Sequence, residues 1–249
     1  LSTAPPRHVV GVEVAGPGFV NFRLADSWLH EVLADVVAAG TDGWGRNDHG
    51  AGAKVIVEFV SANPTGPLHA GHGRGACYGD SVARLYERCG YQVAREFYIN
   101  DRGTQMQLYA ESLAARAAGD EVPDGGYNGQ YIVDWAAAMP DDADPLEWGY
   151  ARALADQREV LESLHIRFDT WFSERSMMAS GAIDQTLVDL RVAGAVYEED
   201  GAVWLRSSEH GDDKDRVLIK GDGEPTYLMP DVAYHRDKFG RADLLVNVF

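Results

Sequence analysis

The chain is short of cysteine, short of positive charge and free of long apolar runs. Its two cysteines among 249 residues are Cys77 and Cys89. Both fall on one predicted helix, where a rise of about 1.5 Å per residue puts them about 18 Å apart. A disulfide between them is excluded, and no Cys/His cluster has zinc spacing. No zinc, no other metal site and no organic prosthetic group is expected. No stretch approaches the roughly 20 apolar residues of a membrane span, and no charged-then-apolar leader opens the chain. A soluble, cytoplasmic protein with no membrane partner is the expectation. Lys and Arg number 22 against 39 Asp and Glu, a formal net charge of −17. That excess argues against a general nucleic-acid-binding surface, although local basic patches still decide docking.

What is present concentrates in residues 54–90. Residues 54–60 are β-branched and aromatic without a breaker, enough for one buried strand. Pro64, Gly66 and Pro67 force a loop. Beyond Gly71 the apolar positions Tyr78, Val82, Leu85, Tyr86 and Cys89 recur at helical spacing until Gly90. Between strand and helix stands His69-Ala70-Gly71-His72. A strand feeding a helix N-terminus through a glycine-containing turn suits phosphate, because free amide N–H groups and the helix dipole point there. Two histidines three positions apart can donate hydrogen bonds to a phosphoryl group as its charge grows, while Gly71 lets a nucleotide lie close. The plainer reading makes one histidine a helix cap and the other a surface residue.

The rest reads as α/β. Apolar alternation over residues 9–24, broken at Gly16-Pro17-Gly18, predicts two strands, and Asp26 or Ser27 can cap a helix after them. Residues 40–52 read as a linker. Residues 91–99 predict a second strand, giving the strand–helix–strand unit of a parallel sheet. Asn100 or Asp101 is expected to cap the next helix, which Gly119 ends. Asn100, Asp101 and Gln105 then stand on the sheet edge where ligands bind in such folds. Helices are expected at 149–164, 180–193 and 231–238, and a hairpin at 195–205 turning at Asp200-Gly201. Short strands are expected at 215–220, 226–229 and 243–249. The aromatic-rich run 167–175 reads as core packing ahead of an RNA-stacking surface.

The motif His69-Ala70-Gly71-His72 resembles the His-Ile-Gly-His signature of class I aminoacyl-tRNA synthetases, with alanine in place of isoleucine. Three longer runs resemble the arginyl-tRNA synthetases in particular: EFVSANPTGPLHAGHGRGACYGD at 58–80, FYINDRGTQ at 97–105 and PTYLMPDVAYHRDKF at 225–239. They stand in that family's order. The resemblance implies a Rossmann-like parallel sheet interrupted by an α+β connective insertion. It divides the chain at 1–44 (end of an N-terminal additional domain and its connecting helix), 45–119 (first part of the catalytic domain), 120–205 (insertion) and 206–249 (catalytic domain resumed). It implies that ATP, with Mg²⁺, meets His69, Gly71 and His72, the two histidines stabilising the phosphoryl transition state. The positions matching Glu58, Ser61, Ala62, Asn63, His72, Tyr227 and Asp231 would form the arginine site, where paired carboxylates suit a planar guanidinium. Asn100, Asp101 and Gln105 would lie near ATP or the tRNA acceptor end.

The expected activity is therefore ATP-dependent formation of arginyl-adenylate and transfer to tRNA(Arg), by a monomer. The family's Lys-Met-Ser-Lys-Ser-type loop and anticodon-binding domain lie beyond Phe249. Some members lacking that loop's lysine carry a compensating one just before the histidine motif, at the position of Gly66. This chain alone, read as a truncated portion, is not expected to turn over. Two rivals stand beside this reading: another adenylyl-transferring enzyme with the same turn, and an inactive paralogue serving as a binding module.

Overall fold

Glycines and a proline set the first boundaries in the computed structural model, which describes residues 6–249 and divides after Asn47 into two units. In the first unit, β1 (Val9–Ala15) and β2 (Phe19–Leu24) pair antiparallel across the Gly16–Gly18 turn. Helix α1 (Ser27–Gly43) follows, with a kink at Gly40; Asp26 takes the N-cap position in an already helical conformation and its side chain makes no cap hydrogen bond, unlike the cap expected there.

The second unit is built on a parallel sheet of order β5-β4-β3-β9. Strand β3 (Lys54–Glu58) leads through the motif loop into α2 (Ala70–Arg88), which returns to β4 (Gln92–Ile99). Val55, Val57, Phe59, Phe97 and Ile99 form the core, with Trp171 stacked on Phe97 at 4.4 Å. Helix α2 can approach the sheet because residue 79 is glycine: a Cβ there would lie 2.2 Å from Phe59 Cγ.

Helix α3 (Thr104–Ala118) starts from Gly103, and neither Asn100 nor Asp101 caps it. Asp101 is buried instead, accepting from Ser173 Oγ at 2.6 Å and the Arg175 N–H at 2.8 Å. A distant helix start outcompetes the adjacent one for this carboxylate. Helices α4 (Gln130–Ala138) and α5 (Pro145–Ser163) pack on α3 around Tyr109, Leu113 and Trp135. Sequence periodicity had indicated the second of these but not the first.

The stretch 120–205, expected as an insertion, also supplies β5 (Thr170–Ser173) to the main sheet, parallel to β4. It continues through α6 (Glu174–Ala179) and α7 (Ala182–Val192). Strands β6 (Val196–Glu199) and β7 (Ala202–Leu205) form the expected hairpin. Its turn puts Asp200 at φ 51° and Gly201 at φ 77°, the left-handed pair that such turns require.

Strand β8 (Arg216–Ile219) pairs with β7. The strand expected at 226–229 is absent: one bridge joins Ile219 to Pro225, and α8 (Leu228–Arg241) begins immediately. Pro230 fits a first helical turn, and Met229, Ala233 and Tyr234 gain burial that a strand would not give them. Strand β9 (Leu244–Asn247) closes the sheet beside β3.

Two ion pairs fix α8 to the sheet, one buried on both sides and one joining an exposed arginine to a buried carboxylate. Glu58 and Glu96 are register partners on β3 and β4. Lys238 Nζ lies 2.6 Å from Glu58 Oε2. Arg241 donates to both oxygens of Glu96 at 2.7 and 2.9 Å, and the Tyr234 hydroxyl adds a third bond at 2.7 Å. A lone buried carboxylate would be costly at either position, and a cation on each offsets that cost.

Candidate functional site

The two histidines of the motif cap α2 and each other. His69 Nδ1 accepts from the N–H of Gly71 at 3.0 Å and of His72 at 3.3 Å, while His72 Nδ1 accepts from the N–H of His69 at 3.3 Å. This reciprocal capping box stacks the rings 3.7 Å apart. With Nδ1 spent as an acceptor, Nε2 is the nitrogen left on each ring to donate. Two N–H donors therefore remain side by side. Burial, and then the adjacent His69, hold the His72 pKa below the ordinary imidazole value. The capping role and the donor role are thus compatible, because they use different nitrogens.

Glu58 stands at the junction of two cavities. One, of about 670 Å³, is lined by Glu58, Ser61, Gly71, His72, Arg74 and Asn247, among others. The other, of about 530 Å³, is lined by Glu58, Asn100, Glu174, Glu224, Tyr227 and Asp231, together with Tyr98 and Tyr234. The first carries the motif at a helix N-terminus; the second gathers carboxylates. Glu58 Oε2 is taken by Lys238, and its Oε1 accepts from Ser61 Oγ at 3.2 Å. Asp231 faces His235 at 3.5 Å, and Tyr227 is 88 % exposed.

Glu174 was not indicated by the sequence reading. Burial raises its pKa, opposed by a hydrogen bond from Tyr98 and by Arg102, whose Nη1 is 3.9 Å away. Burial, then the Glu174 charge, pushes the Tyr98 hydroxyl well above its usual value. The signal was available in Ser173-Glu174, a capping residue followed by an acid directly after a strand, the same strand-to-helix junction that made the histidine motif legible.

The remaining residues of the expected site have structural partners. Asn63 Nδ2 donates to Gln105 Oε1, and Ala62 is buried. Asp101 is held as described above. Gly66 lies against Tyr131, whose Cζ and Oη would be 2.9 Å from a Cβ at that position, so a lysine there would displace the ring. Among the described residues no group of three His, Cys, Asp or Glu side chains could hold a metal ion, and no helix is long and apolar enough to cross a membrane.

Comparison with known proteins bears on the family and the fold. The family model for the catalytic domain of class I tRNA synthetases (R) matches residues 37–123. The arginine–tRNA ligase of Desulfotalea psychrophila is 46% identical over 97% of this chain and 47% of its own length. That of Shouchella clausii is 44% identical over 95% of this chain and 46% of its own length. Among solved structures, one described as an arginyl-tRNA synthetase from Campylobacter jejuni superposes with a TM-score of 0.77 at 35% identity, covering 90% of this chain and 53% of that one. The arginyl-tRNA synthetase of Thermus thermophilus gives 0.70 at 25% identity, covering 96% of this chain and 43% of that one. The chain spans about half the length of the curated relatives it matches. With a parallel sheet that presents the capped histidine motif, and with relatives that match 95–97% of its own length, the chain belongs to the arginyl-tRNA synthetase family of class I aminoacyl-tRNA synthetases.

Proposed function

We propose that this chain carries the arginine pocket and the first part of the ATP site of an arginine–tRNA ligase. The observation that carries the reading is the sharing of Glu58 between a carboxylate-lined cavity and the cavity of the histidine motif. A guanidinium in the first would meet Glu174 and Asp231, relieving the desolvation of Glu174. The carboxylate end of the same arginine would then face the second, where the Nε2–H of His72 lines the cavity and that of His69, stacked on it, can meet phosphoryl oxygens at its side.

The reaction would be attack of an arginine carboxylate oxygen on the α-phosphorus of ATP. The bond from that phosphorus to the bridging oxygen breaks, and pyrophosphate leaves with the electron pair. Charge growing on the phosphoryl oxygens is what two positioned N–H donors stabilise. Mg²⁺ would arrive with the nucleotide, held by phosphate oxygens rather than by a protein cage. Transfer of the arginyl group to the terminal ribose of tRNA would follow in a ligase of the relatives' full length.

Calorimetric titration with arginine, lysine and citrulline, with and without a non-hydrolysable ATP analogue, tests the reading. Arginine-selective heat is expected. Binding of citrulline, which keeps the shape and loses the charge, as tight as that of arginine would sink the carboxylate pocket.

A further inference from the structure

At Val60 and Ser61, where the 59–66 loop leaves β3, the backbone adopts a conformation that most residues avoid. The Ser61 N–H donates to the Phe59 carbonyl at 3.1 Å, closing a three-residue turn around Val60 at φ 73°, and Ser61 itself follows at φ 47°. A β-branched residue at that φ is a steric outlier, and this γ-turn form is the rarer and more strained of the two. Such a conformation persists only where its surroundings over-determine it.

Two restraints act at the β3 end: the Phe59 N–H on the Glu96 carbonyl at 3.2 Å, and Ser61 Oγ on Glu58. The others come from helices that contribute no residue to the lining of either cavity. Gln157 of α5, 1 % exposed, donates from Nε2 to the carbonyls of Asn63 at 3.1 Å and Gly66 at 3.0 Å. Tyr131 of α4 donates its hydroxyl to the Thr65 carbonyl at 3.0 Å, with its ring against Gly66. Among the described residues Gln157 Oε1, also buried, has no hydrogen-bond partner. An apolar side chain would leave no such orphan acceptor, so what the amide contributes at this position is its double donation.

We infer that Gln157, assisted by Tyr131, is a positioning residue for the activation site: it clamps the strained 59–66 loop and thereby places Ser61 and Asn63 and sets the approach to the histidine motif. The inference rests on the proposed arginine-activation reading for its ligand, but not for its mechanical content.

Hydrogen exchange read by mass spectrometry tests the clamp without any ligand. In Gln157→Leu, amides of residues 59–67 should exchange at least tenfold faster, while those of 55–57 and 96–99 keep their protection. Arginine affinity should fall at least tenfold. Adding Val60→Gly should restore part of it, because glycine adopts a left-handed φ freely; Val60→Gly alone is the control. Unchanged loop exchange in Gln157→Leu overturns the inference, whether or not the parent chain binds arginine. A loosened loop with unchanged affinity, or a loss that Val60→Gly does not mend, overturns it too, leaving Gln157 a packing residue only. If Gln157→Leu fails to fold, Tyr131→Phe removes one bond and keeps the ring; it should speed exchange in the same segment, and no change there overturns the clamp. Absence of arginine binding by the folded parent counts against the proposed function, and the exchange result still decides the clamp.

Discussion

Lys238 and Glu58 are 180 residues apart in sequence and 2.6 Å apart in space, the ammonium wholly buried between Glu58, Asn247 Oδ1 at 3.0 Å and the Tyr234 ring at 4.3 Å. A pair like this sets the local geometry more surely than it adds stability, because desolvation offsets much of the attraction. For Glu58 it leaves one carboxylate oxygen outside the ion pair, on the side of Ser61.

Removing the cation alone should be severe. Lys238→Met strands a buried carboxylate and is expected to cost about 3–5 kcal/mol in urea unfolding. The double variant Lys238→Met with Glu58→Leu should recover much of that loss. Equal losses in the single and double variants would mean that packing, not charge, dominates at this position.

Two glycines of α2 should respond oppositely. Gly79→Ala drives a methyl into the Phe59 ring and should cost about 1–3 kcal/mol. Gly73→Ala meets nothing within 4 Å and should stabilise by up to about 1 kcal/mol through helix propensity. Thermal melts of the two variants side by side decide it.

The His72 pKa lies below its reference value of 6.5 in the folded chain. The unfolded chain then binds the proton more readily, so stability is full above about pH 6.5 and declines as the pH falls through it. Melting temperatures at pH 7.5, 6.5 and 5.5 should show a shallower decline in His72→Gln than in the parent. A phosphate-bearing ligand should also bind with proton uptake near pH 6, read as a buffer-dependent heat.

Glu174 has the opposite sign for a carboxylate. Its folded pKa is raised, so the protonated form is favoured by folding; that contribution is complete below the reference 4.5 and is lost as the pH rises through the folded value. Glu174→Gln is therefore expected to raise the melting temperature of the ligand-free chain at pH 7. The same change should weaken arginine binding at least about tenfold, the scale of a lost charged hydrogen bond. A variant that gains neither stability nor a binding defect would remove Glu174 from the pocket.

The sequence by itself determined the local pieces: β3, the proline-broken loop, α2 stopped before Gly90, the hairpin turning at Asp200-Gly201, and the histidine motif at a helix start. Each depends on residues within a few positions of one another, where apolar period and turn chemistry act directly. It also carried the family resemblance, because that is written in contiguous runs. What only the tertiary structure decided is where buried polar groups find partners. Asp101 read as the cap of its own helix and serves the start of a distant one; residues 226–229 read as a strand and enter a helix whose burial they complete. Glu58 needed a cation, and nothing in the sequence named Lys238 for it. Burial, joined by the Asp101 charge, makes Glu174 an uncomfortable carboxylate, and the clamp on the 59–66 loop is made by side chains 66 and 91 to 94 positions downstream. Such pairings are set by which elements pack together, a long-range result that no local period records.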